Sequence, residues 1–101
     1  MNLLTAKIKK ALPALDTVRV NPGVDFICKF FDPCGSWTWY VLEGEEQEDG
    51  DWLFYGLVDG FEKEWGYFRL SELEDGTAGR PLGIGVERDI YFENEEVTKY
   101  V

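Results

Sequence analysis

The chain is 101 residues long, enough for one domain that buries roughly two-thirds of its unfolded surface without metal or disulfide. A hydrophobic content of 45%, with 16% aromatic, excludes a disordered chain. The formal charge of −10 argues against direct binding to DNA or an anionic membrane, and the absence of histidine removes the commonest general base, any Ser-His or Cys-His dyad and every His-containing zinc site.

The predicted elements begin with a helix over Ala6–Leu12. Thr5 is its N-cap, because the hydroxyl accepts from an orphan amide in the first turn, and Pro13 stops it. Ile8, Leu12 and Leu4 form its apolar side, while Lys7, Lys9 and Lys10 face water. Asn21-Pro22-Gly23 reads as a turn. Val24–Phe31 reads as a strand with Phe26, Cys28 and Phe30 on one face and Ile27, Lys29 and Phe31 on the other. Asp32-Pro33-Cys34-Gly35 turns the chain.

Ser36–Leu42 is the second predicted strand, with Trp37, Trp39 and Val41 opposite Thr38, Tyr40 and Leu42. Glu43–Asp51 is read as the connection to a third strand, Trp52–Val58. Asp59-Gly60 is a hairpin signal, and Phe61–Leu70 holds a fourth strand in which Gly66 suggests a bulge or a close backbone approach. Ser71-Glu72-Leu73-Glu74 fits a capping box with Ser71 as N-cap and Glu74 reaching back. Asp75 to Gly79 ends that short helix. The loop from Gly79 to Gly85 leads to an extended segment over Val86–Phe92, and residues 93–101 read as a loosely ordered tail on a compact 1–92 body.

Short connections favour antiparallel neighbours. The expected fold is therefore α+β and single-domain: an antiparallel meander of about four strands with an N-terminal helix and a short second helix. The start of the chain does not read as a signal peptide, and no run approaches the ~18 apolar residues of a membrane span. The cytoplasm is the expected compartment. Cys28 reads as a buried thiol and Cys34 as an exposed one, with a bridge between them the lesser alternative.

An ordered set of blocks runs through the sequence. It comprises Leu3-Leu4-Thr5, Leu12-Pro13, Lys29-Phe30-Phe31, Trp37-Thr38-Trp39-Tyr40, Tyr55-Gly56-Leu57-Val58, Gly60-Phe61-Glu62, Gly66-Tyr67-Phe68, Ser71-Glu72-Leu73-Glu74 and Leu82-Gly83 through Glu87-Arg88-Asp89. In these blocks the chain resembles a bacterial family of short proteins known as domain of unknown function 2958, over residues 3 to about 92. The resemblance implies a setting on plasmids, phages and integrated elements. It implies no activity, cofactor or site. The acidic Glu43–Asp51 segment lies outside the blocks that carry it.

Reaction chemistry finds little support. Gly79-Arg80-Pro81-Leu82-Gly83-Ile84-Gly85 lacks the Lys-Ser/Thr and the strand-loop-helix setting of a phosphate loop. Glu62 with Glu64, and Glu87 with Asp89, are two apart and share a strand face, as metal-binding or pKa-raising carboxylates do. A solvated edge, or an ion pair with Arg88 or Arg69, accounts for them more simply. Asp49-Gly50-Asp51 lacks the alternating ligands of a calcium loop. The tryptophans are placed for cross-strand packing rather than as a base-stacking platform. No enzyme, cofactor or metal is expected.

Charge distribution is the most informative feature. Between Asp32 and Glu62 there are nine acidic residues and no basic one. Glu43, Glu45, Glu46, Glu48, Asp49 and Asp51 are the candidate partner-binding residues. Spread along a hairpin tip they give about one charge per 2.5 Å, against roughly 1.7 Å for duplex DNA. The sharpest reading is a nucleic-acid mimic that inhibits a cationic nucleic-acid-binding protein, of anti-restriction or anti-CRISPR type. The alternative is an accessory module that docks on a partner protein through an aromatic surface, its acids serving solubility.

Overall fold

The computed structural model describes residues 3–17, 26–33, 35–74, 86–90 and 92. Its elements are α1 (Ala6–Ala11), β1 (Cys28–Phe31), β2 (Thr38–Glu46), β3 (Trp52–Asp59), β4 (Lys63–Arg69), α2 (Leu70–Glu74) and β5 (Glu87–Arg88). The strands form one antiparallel sheet in the order β4-β3-β2-β1-β5. The α+β meander with two short helices is as expected, with β5 added beside β1 as a fifth strand.

Thr5 caps α1 through a 3.2 Å bond from the Ile8 N–H to its hydroxyl, and Leu12 closes the helix before Pro13. Ile8 and Leu12 pack on the first sheet face with Leu3, Leu4, Phe30, Trp39, Val41, Phe54, Phe68, Leu73 and Val86. Both helices thus contribute to one core. Full burial of rings such as Phe30 and Phe54 stabilises it by about 1.5–3 kcal/mol each. The second face gathers Phe26, Tyr40, Leu42 and Leu57, with Tyr55 and Phe92 packed against them. Strand alternation separates Trp39 and Val41 from Tyr40 and Leu42, as the sequence pattern requires.

Phe26 departs from the expected pattern. It precedes β1 instead of lying in it, and it joins the second face, 5.7 Å from both the Tyr40 and Trp65 rings. The close approach at the sheet centre falls at Gly56. A Cβ there would sit 1.8 Å from the Tyr40 carbonyl oxygen. Gly66, the expected bulge, keeps regular register with Gly56. The bulge lies instead between Val41 and Glu43 in β2. The Asn21 turn, Cys34, the Gly79–Gly85 loop and the 93–101 tail lie outside the described residues.

Candidate functional site

The acidic segment is not a turn. β2 continues through Glu46, and the connection to β3 is only residues 47–51. It is closed by bonds from the Gln47 N–H to the Asp51 carbonyl and from the Gly50 N–H to the Gln47 carbonyl, with Gly50 at φ +86°. The strand persists because Glu43, Gly44, Glu45 and Glu46 pair in register with Tyr55, Phe54, Leu53 and Trp52. Cross-strand packing with these large apolar partners overrides the weak strand propensity of glutamate.

The β-bulge before Glu43 changes what that side chain does. Regular alternation would aim it with Val41; the extra residue places it in register with Tyr55 and puts Gly44 against Phe54. Glu43 is 0% exposed. Its Oε1 accepts from the Asp16 N–H and its Oε2 from the Thr17 N–H, both at 2.9 Å. Asp16 adopts a left-handed φ of 67°, and the Thr17 hydroxyl donates to the Ala14 carbonyl. Gly44 N–H also donates to the Pro13 carbonyl. Glu43 therefore pins the segment after α1 to β2. As a residue that meets a partner from solvent it is corrected: it is an internal anchor.

Asp51 is also internally engaged, with a side chain 16% exposed. Its Oδ2 accepts from the Ser71 hydroxyl at 2.7 Å, and its Oδ1 from the Ser71 N–H at 3.1 Å and the Trp52 N–H at 2.9 Å. Burial alone would raise its pKa, but these bonds, with the Arg69 guanidinium at 3.5 Å, hold it below the ordinary carboxylate value. The capping box is displaced accordingly. Ser71 lies inside α2, and Glu72, not Glu74, reaches back to the Arg69 N–H at 3.2 Å. The acceptor that an N-cap side chain would supply comes from Asp51, across the sheet end.

Glu45, Glu46, Glu48 and Asp49 are exposed. Asp49 pairs with Arg69 at 3.8 Å and accepts from the Asp51 N–H at 3.0 Å. Glu45 and Glu46 follow one another in a strand, so they point to opposite sheet faces. Of the six candidates, the fold brings four to the surface around the hairpin tip and holds two internally, Asp51 bracing the tip and Glu43 anchoring the segment after α1.

Other exposed side chains were not singled out by the sequence. Phe61 is 94% exposed in the β3–β4 turn, with its ring 5.4 Å from Trp37 in an edge contact. On β4, Trp65 and Tyr67 are 44% and 54% exposed. Register places them beside Leu57 and Tyr55 on the second face, where Tyr55 stacks on Trp65 at 5.9 Å and meets Tyr67 at 5.1 Å. Phe61 was expected to open the fourth strand; it lies instead in the connection, because Asp59 pairs with Lys63 and leaves residues 60–62 as the loop.

A cleft of about 530 Å³ lies between α1 and the β1–β5 edge, lined by Ile8, Cys28, Arg88, Ile90 and Phe92 among others. Two of its charged groups are engaged within the fold. Arg88 donates to the Leu3 carbonyl at 3.3 Å, and Asp89 pairs with Lys29 at 3.6 Å. Within the Glu-Arg-Asp triplet, Asp89 thus takes part in a structural ion pair with Lys29. Burial pushes the Cys28 thiol up to about 12, despite the opposing pull of Arg88, so it is no nucleophile. Among the described residues, no group of three or more Cys, Asp or Glu side chains is placed to hold a metal ion. No helix among them is long and apolar enough to cross a membrane.

The model of the family described as protein of unknown function (DUF2958) matches residues 3–101. The chain belongs to the DUF2958 family. No curated protein and no solved structure matches it. The candidate sites of this DUF2958 chain lie on its surface. That surface divides into an acidic tip at one end of the β2–β3 hairpin and exposed aromatics on and beside β4.

Proposed function

We propose that this protein works by binding and not by catalysis, in the cytoplasm, and that it docks on a cationic protein through exposed aromatic side chains flanked by acids. The observation that carries this reading is the grouping of Phe61, Trp65 and Tyr67, all well exposed, within seven residues of a chain whose charge is −10. Exposed aromatics held by neighbouring rings are the side chains that anchor interfaces at low entropic cost. The surrounding negative charge steers and selects a positive partner.

A narrower reading has its own support. Glu45, Glu46, Glu48 and Asp49 are exposed at a tip braced by Asp51. Such a tip would occupy the groove of a nucleic-acid-binding protein as phosphates do, consistent with an inhibitor of anti-restriction or anti-CRISPR type on a mobile element. Opposed directions of Glu45 and Glu46 make it a cluster and not a one-sided stripe, so docking through the aromatics is the leading reading.

Affinity capture from the native host's lysate separates the two. Wild-type protein is compared with a Phe61→Ser, Tyr67→Ser variant and with a Glu45→Gln, Glu46→Gln, Glu48→Gln, Asp49→Asn variant. Loss of a basic partner with the aromatic variant supports docking. Loss of a DNA- or RNA-binding partner with the acid variant alone, and at high salt, supports mimicry. Retention by both variants contradicts both readings.

A further inference from the structure

The β3–β4 turn and the end of the sheet beside it form a distinct surface. Thr38 pairs with Asp59, so the Trp37 ring and the turn meet at this end. Phe61 stands almost wholly in water, yet its ring has a fixed neighbour in Trp37, which itself lies 6.1 Å from the buried Trp39. The turn is closed by the Gly60 N–H donating to the Glu62 carbonyl at 3.2 Å. A Cβ on Gly60 would come within 2.5 Å of the Trp37 ring, so the backbone of the turn lies directly on that indole. The phenyl group is thus a positioned knob and not a loose side chain.

Trp37 also forms a wall of a second feature. A cleft of about 360 Å³ is lined by Lys29, Phe31, Asp32, Trp37, Thr38 and Asp89, together with Gly35 and Ser36. Knob and cleft share one indole. On the turn, Glu62 and Glu64 are exposed with Lys63 between them and Asp59 half-buried beside them, while in the cleft Lys29 pairs with Asp89 and Asp32 is buried.

We infer that this end of the sheet is the contact point for the protein partner, with Phe61 entering an apolar pocket on it and a lysine or arginine beside that pocket entering the Trp37 cleft. The inference rests on the docking reading above and gives it a place. A hydrophobic pocket alone would not select this turn, because its rim is acidic. A basic-rimmed pocket satisfies both the phenyl group and the carboxylates. The indole face offers a cation–π contact to the incoming cation, and the positioned ring keeps the entropic cost of the anchor small.

The test is site-specific photocrosslinking in the cells that naturally carry the chain. p-Benzoylphenylalanine is placed at position 61, at position 67 and, as a control on the far side of α1, at position 10. The expected result is one dominant adduct at 61, with a partner whose crosslinked peptide contains lysine or arginine. Its yield should fall at least fivefold when Glu62→Gln and Glu64→Gln are added. An adduct at 67 with none at 61 overturns this placement but leaves aromatic docking standing. Adducts at neither position, or equal adducts at position 10, overturn both. An adduct at 61 that is indifferent to the two neutralised glutamates overturns the basic-rimmed partner. Unchanged thermal melting of each labelled protein excludes unfolding as the cause of a missing adduct.

Discussion

Asp51, in the connection between two strands, receives both the N–H and the hydroxyl of Ser71, in the first turn of a helix twenty residues later. One carboxylate thereby locks the β2–β3 hairpin to α2. Removing an N-cap acceptor costs about 0.5–2 kcal/mol. Asp51→Ala should lose about that much in urea unfolding, and Ser71→Ala a smaller part. The double variant should cost less than the sum of the singles, because the two residues share the interaction.

Acid dependence follows from the same carboxylate. Its folded pKa lies below its unfolded value, near 3.9 for an aspartate. The stabilisation is therefore complete above that unfolded value and is lost as pH falls through the folded one. Wild-type stability should decline more steeply below about pH 4 than that of Asp51→Asn. Parallel acid limbs in a urea series would contradict the assignment.

Glu43 makes a stronger demand. With Glu43→Ala the N–H groups of Asp16 and Thr17 lose their acceptor, and unsatisfied donors of this kind cost about 1–3 kcal/mol each. A total loss of about 2–4 kcal/mol is expected, the bonds being part-buried. Amide exchange at Asp16 and Thr17 should accelerate more than exchange in β3.

The thiol of Cys28 should be inert. Pushed up to about 12 by burial, it contributes stability that is full below the unfolded pKa and declines as pH rises from there towards the folded value. Native protein at pH 8 should resist iodoacetamide at Cys28 as read by peptide mapping, and react there once unfolded in urea. Rapid native labelling would show an open site.

Gly56→Ala should destabilise by about 1–3 kcal/mol, because the added methyl meets the Tyr40 carbonyl and β2 and β3 must part. The midpoint of unfolding should fall with an unchanged denaturant slope.

Local rules made much of the fold legible. Thr5 and Pro13 bounded α1, and aromatic alternation separated Trp39 and Val41 from Tyr40 and Leu42. What escaped the sequence depended on long-range pairing. A run of glutamates reads as a loop by propensity, but Trp52, Leu53, Phe54 and Tyr55 hold it in a strand. A one-residue bulge then set Glu43 opposite Tyr55 instead of in step with Val41, which no local pattern announces. The Ser71 box looked self-sufficient, yet its acceptor arrived from Asp51. Phe26 carried the right period and the wrong face, because it precedes the strand whose alternation would have fixed it.

The division of the acidic segment into two bracing and four exposed carboxylates is the claim on which the surface assignment rests. A urea-unfolding series of Glu43→Gln, Glu45→Gln, Glu46→Gln, Glu48→Gln, Asp49→Asn and Asp51→Asn tests it directly. The account predicts a clear loss, of about 1 kcal/mol or more, for the variants at 43 and 51, and changes within about 0.5 kcal/mol for the other four. Equal, small effects at all six positions would contradict it and return the whole segment to the solvent-facing surface.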